Sequence, residues 1–116
     1  MPALFAISRM GTRLAGPIGG LFALLLGASC ATAMEPFRPG SIDHHNVQLA
    51  LLLWAAVCVT ARRAVPAALL TALGLGVGLE VLPYAIVIVL AASLWLKEER
   101  ERVWDFGLWL AIAAVI

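Results

Sequence analysis

Charged side chains are scarce in this chain. Lysine, arginine, aspartate and glutamate make up 13% of its 116 residues, against 63% hydrophobic residues and a mean hydropathy of +0.99. A soluble domain of this length has too little interior to hide so much apolar surface. The net charge of +1 identifies no partner, because so few charges are placed by topology. Cysteine is also rare. Cys30 and Cys58 each sit inside an apolar run with no second ligand nearby, so they read as small core residues and not as a disulfide or metal pair. No glycine-rich phosphate loop follows a strand pattern, and no Ser/His/Asp or paired-cysteine arrangement is present. These absences leave a membrane protein with little conventional catalytic equipment.

What is present is a series of apolar runs with short polar breaks. Leu14 to Ala33 is long enough to cross a bilayer of about 30 Å at about 1.5 Å per residue. The polar loop Met34 to His45 follows, and then a shorter run, Val47 to Ala61, closed by Arg62 and Arg63. Ala64 to Leu96 is interrupted only by Glu80. As one helix it would reach roughly 50 Å, too long for an ordinary tilted span. Gly74, Gly76 and Gly78 weaken its middle and Pro83 suits a new first turn, so the expectation is two segments, 64–79 and 81–96, turning near Glu80. A mixed-charge cluster, Lys97 to Arg102, precedes a last run, 103–116. The fold class expected is all-α, a multi-pass transmembrane helical bundle.

Orientation follows from the basic residues. With the N-terminus in the cytoplasm, Arg9, Arg13, Arg62, Arg63, Lys97, Arg100 and Arg102 share the cytoplasmic side of an inner membrane, and Arg38 alone lies outside. The same topology gathers Asp43, His44, His45 and Glu80 at the external face. A competing reading takes Arg9, Arg13, the apolar core and Ala31-Thr32-Ala33 as a signal peptide, which would leave the later spans in place. Within Lys97 to Arg102 the signs are mixed, as in a solvated helix end and unlike a headgroup or nucleic-acid site. Trp95, Trp104 and Trp109 flank that cluster as an aromatic belt would, and Tyr84 fits the opposite interface. Gly16, Gly19, Gly20 and Ala23 offer a small-residue packing face in the first span.

The external loop carries the chemistry. Ser41-Ile42-Asp43-His44-His45-Asn46 places a carboxylate and two imidazoles at the edge of an apolar run, where such groups point to function by default. In an extended backbone Asp43 and His45 project to the same side and His44 away from it, as a hydrogen-bonding neighbour. A carboxylate and an imidazole could hold Mg²⁺ or Mn²⁺, or Zn²⁺, leaving positions open for phosphate oxygens. At least one further acidic ligand is needed. Equally, Asp43 is a good N-cap for a helix starting near His44. Glu80 reads as a third ligand, a base or a substrate contact, or else as a solvated turn residue capping the helix ahead of Pro83. Arg38 suits a lipid-linked phosphate, or it snorkels to headgroups.

The order of a basic start, a Gly/Ala/Leu span, an external loop ending Gly-Ser-Ile-Asp-His-His-Asn and a further span resembles part of the catalytic subunit of oligosaccharyltransferase, a polytopic GT-C glycosyltransferase. The resemblance covers residues 9 to 96, and only the loop is specific. It implies that Asp43 and His45 help coordinate a divalent metal, which neutralises the pyrophosphate of a polyprenyl-linked sugar donor at the non-cytoplasmic face. Membrane lipid and the lipid-linked sugar are the implied partners, with no nucleic acid. The family's earlier acidic external loop, its later one and its many further helices are missing, and the last run is short for a span. The expectation is therefore a glycosyltransferase fragment, inactive alone, that needs the remainder of the enzyme or another membrane subunit. Two other classes remain open: a small non-enzymatic multi-pass membrane protein, and a transporter subunit using the broken helix at Glu80.

Overall fold

The computed structural model describes residues 2–30 and 44–115, so Arg38 and Asp43 lie outside the described residues. Among the described residues every regular element is helical: α1 (Pro2–Ser29), α2 (His44–Thr60), α3 (Ala64–Val77), a 3₁₀ turn (Leu79–Val81), α4 (Leu82–Trp95) and α5 (Arg100–Val115). The all-α class holds. One helical segment, α1, is long and apolar enough to cross a membrane by length and composition.

That segment is not straight. Ala15 and Gly16 leave helical geometry, Gly16 at φ 72°, with Pro17 immediately after. A methyl added at Gly11 would lie 2.6 Å from the Gly19 carbonyl oxygen, and one at Gly27 would lie 3.2 Å from Leu4. In a straight helix those pairs stand about 12 Å and about 35 Å apart. α1 is therefore a hairpin whose arms, 2–14 and 17–29, press together through glycine. Each arm rises about 20 Å, short of the about 30 Å of a hydrocarbon core. The expected span over 14–33 begins ahead of the hairpin's turn; its described part bends back at Gly16, and 31–33 lie outside the described residues. Gly16 serves as that turn, because only glycine takes that φ without strain, and the close contact is made by Gly11 and Gly19.

The first arm runs alongside α2 in the same direction. Pro2 sits beside Asn46 and Val47, the Phe5 and Trp54 rings are 6.0 Å apart, and Arg13 comes within electrostatic reach of Cys58. Pro2 thus shares an end of the bundle with His44. This differs from the expected arrangement, in which one span separates the N-terminus from the loop. α3 packs against both α2 and α5, and α4 packs against α2. The whole forms a slab of 39 × 33 × 18 Å.

Size, more than hydrophobicity, sorts residues between inside and outside. Among the described residues, nine of the sixteen buried hydrophobic side chains are alanine, with Ala55, Ala67 and Ala68 fully buried. Phe22, Leu26, Val87, Leu90, Leu94 and Trp104 are all more than half exposed. Water would drive the larger side chains inward. Small residues at helix contacts with large apolar ones outside is the pattern of helices packing in lipid. Cys30 is exposed and Cys58 half-buried, both as free thiols, so only Cys58 resembles the expected core residue.

α2 ends in a two-bond C-cap. Arg63 N–H donates to Cys58 O at 2.8 Å and Arg62 N–H to Val59 O at 2.9 Å, the pair of bonds of a Schellman turn. The left-handed position is Arg62, at φ 56°, where glycine is usual. Its guanidinium reaches across to Glu99 at 2.7 Å, and Glu98 lies 3.9 Å away. Arg102 pairs with Glu99 and donates to the Arg62 carbonyl. The Lys97–Arg102 cluster is therefore a clasp between the α2–α3 and α4–α5 connections, more than a solvated helix end.

The run from 64 to 96 divides at Gly78, which is extended at φ 175°. The 3₁₀ turn carries Glu80, and α4 starts with Pro83 in its first turn. Val81 occupies the α4 N-cap without a side-chain cap bond, so Glu80 does not cap this helix.

Candidate functional site

Helix α2 begins at His44, so both histidines stand in its first turn, and the extended-backbone alternation expected for His45 does not apply. The two rings lie 4.3 Å apart, tilted by 46°. His44 consequently faces the same way as its neighbour instead of away from it. Opposite them the Gly78 break delivers Glu80. His45 Nε2 is 2.8 Å from Glu80 Oε2, and His44 Nε2 is 3.8 Å from the same oxygen. One ligand atom from each of the three residues falls within a 4.8 Å set.

Ligands on a common transition-metal ion, each about 2.0–2.2 Å from it, stand at most about 4.4 Å apart. The three atoms approach that limit and would close on an ion by a few tenths of an ångström. Two imidazoles and one carboxylate suit Mn²⁺ or Zn²⁺ better than Mg²⁺, which prefers oxygen. The 2.8 Å approach of His45 Nε2 to Glu80 Oε2 leaves room for a cation only if the two separate slightly around it. The side chains of His44, His45 and Glu80 are 53%, 50% and 65% exposed, so the pairing itself contributes little stability.

Of the residues singled out from the sequence, the structure brings together His45 and Glu80. Asp43, the other expected metal ligand, immediately precedes α2 and lies outside the described residues, as does Arg38. The sequence reading missed His44 as a co-ligand and passed over Gln48. Gln48 is 1% exposed, and its Nε2 donates to the Gly78 carbonyl at 3.1 Å, pinning the turn that carries Glu80 to α2. The spacing from His45 to Gln48, three residues within one helix, would have put both on one face.

An apolar groove of about 380 Å³ runs from this cluster between α2 and α4. Leu52, Leu53, Val87 and Ile88 line its length, and His45, Gln48 and Tyr84 stand among its polar lining. Polar groups meeting a narrow apolar trough form a surface suited to an amphiphile. Comparison with protein-family models, with curated proteins and with solved structures gave no match, so this geometry carries the functional argument.

Proposed function

We propose that the chain forms part of a lipid-phosphate site in a multi-pass membrane glycosyltransferase of the GT-C kind, at the non-cytoplasmic face. The observation that carries this reading is the convergence of His45 and Glu80, 35 positions apart in sequence, at the head of an apolar groove. His45, Glu80 and His44 would hold a divalent cation, with Asp43 completing the set from the preceding loop. When bound, the cation would supply charge neutralisation for a departing phosphate. The chain's own residues would orient the donor: the groove takes its polyprenyl tail, and the polar cluster fixes its head at the interface. Arg38 remains a phosphate contact in this proposal.

Membrane embedding is supported by the inside-small, outside-large sorting of side chains. Orientation is supported by the gathering of Arg13, Arg62, Arg63 and Arg102 at the end away from His45, the end we place in the cytoplasm.

The test uses the full chain in detergent, with Mn²⁺ followed by electron paramagnetic resonance and farnesyl phosphate as the lipid probe. The expected result is Mn²⁺-dependent probe binding, lost in His45→Ala and Glu80→Gln. Binding that persists without cation, or in both variants, would leave the non-enzymatic membrane-protein reading in possession.

A further inference from the structure

The helices of this chain agree on one length, and it is short for a membrane. α2, α3, α4 and α5 hold 17, 14, 14 and 16 residues, and so rise about 21–26 Å. α1, the one segment long enough to reach further, is folded in half at Gly16 into arms of about 20 Å. The charges keep a matching spacing. His45 and Arg62, Arg63 and Glu80, and Glu80 and Lys97 bound the intervals 46–61, 64–79 and 81–96, each of 16 residues or about 24 Å of helix. An ordinary hydrocarbon core is about 30 Å thick.

Between the two charged levels the outer surface is apolar. Leu73 on α3 and Val87, Leu90 and Leu94 on α4 are all more than half exposed. The hydroxyls of Thr60, Thr71 and Ser93 each donate to a carbonyl of their own helix, so none of them calls for water. Tyr84 and Trp95 are exposed toward opposite ends of α4, about 17 Å apart along it, as rings at two nearby interfaces would be. A short span is often rescued by charged side chains that reach outward to the headgroups. Here that reach is spent sideways, from His45 to Glu80 at one level and from Arg62 to Glu99 at the other. The Gln48 bond to the Gly78 carbonyl further ties the turn to α2, so the helices cannot slide apart to lengthen the band.

We infer that the apolar faces of this bundle are covered by a thin hydrocarbon layer, about 20–24 Å deep by the helix rise, and that the lipid it selects has short acyl chains. The inference rests on the membrane embedding proposed above, and needs neither the cation nor the phosphate.

The test reconstitutes the full chain in phosphatidylcholine bilayers that differ only in acyl chain: dimyristoleoyl, dioleoyl and dierucoyl. Trp95, Trp104 and Trp109 are exposed and report the lipid touching them, which is read by competition with a brominated dioleoyl lipid that quenches their fluorescence. The expected result is that dimyristoleoyl lipid displaces the quencher about twofold more effectively than dioleoyl lipid, with dierucoyl weakest, the ratio being modest because each ångström of mismatch costs little. Polarised infrared spectra of oriented films give a second readout, in which the helices should stand nearer the membrane normal than its plane. Equal displacement by all three lipids, or a preference for the longer ones, overturns the inference and leaves embedding intact. Helices lying in the membrane plane, or no quenching in any bilayer, overturn it together with the embedding. A short-chain preference without Mn²⁺-dependent farnesyl phosphate binding upholds it and removes only the metal reading.

Discussion

The two ends of α2 each set a basic side chain against a carboxylate at hydrogen-bond distance, yet they do different things. At the C-terminal end, Arg62 and Arg102 converge on Glu99, and the Arg62 carbonyl takes a further bond from Arg102. The carboxylate has two guanidinium partners. That end is a fastening. At the N-terminal end, His45 and His44 face Glu80 on an open surface, a groove leads away, and Gln48 keeps an acceptor oxygen unmatched among the described residues. That end has capacity left for a ligand. The lesson is that an ion pair marks a site only when its surroundings leave coordination or hydrogen bonding unfinished.

The largest disturbance should come from Gly78→Val. The added carbons collide with Gln48 Nε2, break its bond to the Gly78 carbonyl and shift the turn that carries Glu80. A loss of about 1–3 kcal/mol is expected, with Mn²⁺ binding impaired while the Arg62–Glu99 pairing survives. Chemical denaturation in mixed micelles would measure it, and an unchanged transition midpoint would show that Gly78 is not a tight contact. Next comes His45→Ala, with an expected fall in Mn²⁺ affinity of at least about tenfold and a stability change within about 1 kcal/mol, because the pair is exposed. A stability loss without any change in Mn²⁺ affinity would make this end a second fastening and collapse the comparison.

Arg62 allows a finer test. Arg62→Ala loses the bonds to Glu99 and keeps the unfavourable left-handed backbone, whereas Arg62→Gly loses the same bonds and relieves the backbone. The glycine variant should be the more stable of the two by thermal unfolding. The reverse order would mean that the cap geometry is imposed from elsewhere. The smallest expected effect is on pH dependence. The hydrogen bond from Arg62, with the charges of Arg102 and Arg62, lowers the Glu99 pKa against a smaller opposing effect of burial. A lowered folded-state pKa gives stability that is present above the ordinary carboxylate value and lost as pH falls through the depressed one. Acid titration of the unfolding midpoint should therefore show a small decline in that window, absent from Glu99→Gln.

Much of the helical order was legible because the apolar runs are long and the interruptions are chemically explicit. Gly78 and Pro83 mark the break within 64–96, and Arg62-Arg63 marks the end of α2. The α1 hairpin was harder to see. Apolar content over 14–33 masked a Gly16-Pro17 step, a turn signal in its own right. Once the chain reverses there, Gly11 and Gly19 become contact residues. At the site, His45 and Glu80 drew notice singly as polar groups among apolar ones. Their meeting depends on how the 3₁₀ turn docks against α2, which no local period encodes. Gln48 shows its part only in the fold, where its amide holds the Gly78 carbonyl.

The alanine-filled interior also has a consequence for how such a chain can change over time. A core residue that fills its space with one methyl leaves almost nothing to trim and no room to grow. Ala55, Ala67, Ala68 and Ala92 should therefore be nearly frozen in any set of related sequences, glycine and serine being their main alternatives. Leucine, isoleucine, valine and phenylalanine on the outer faces should exchange freely, each serving equally well against lipid. Ancestry would be recorded in the smallest side chains, and the bulky ones would carry almost none of it.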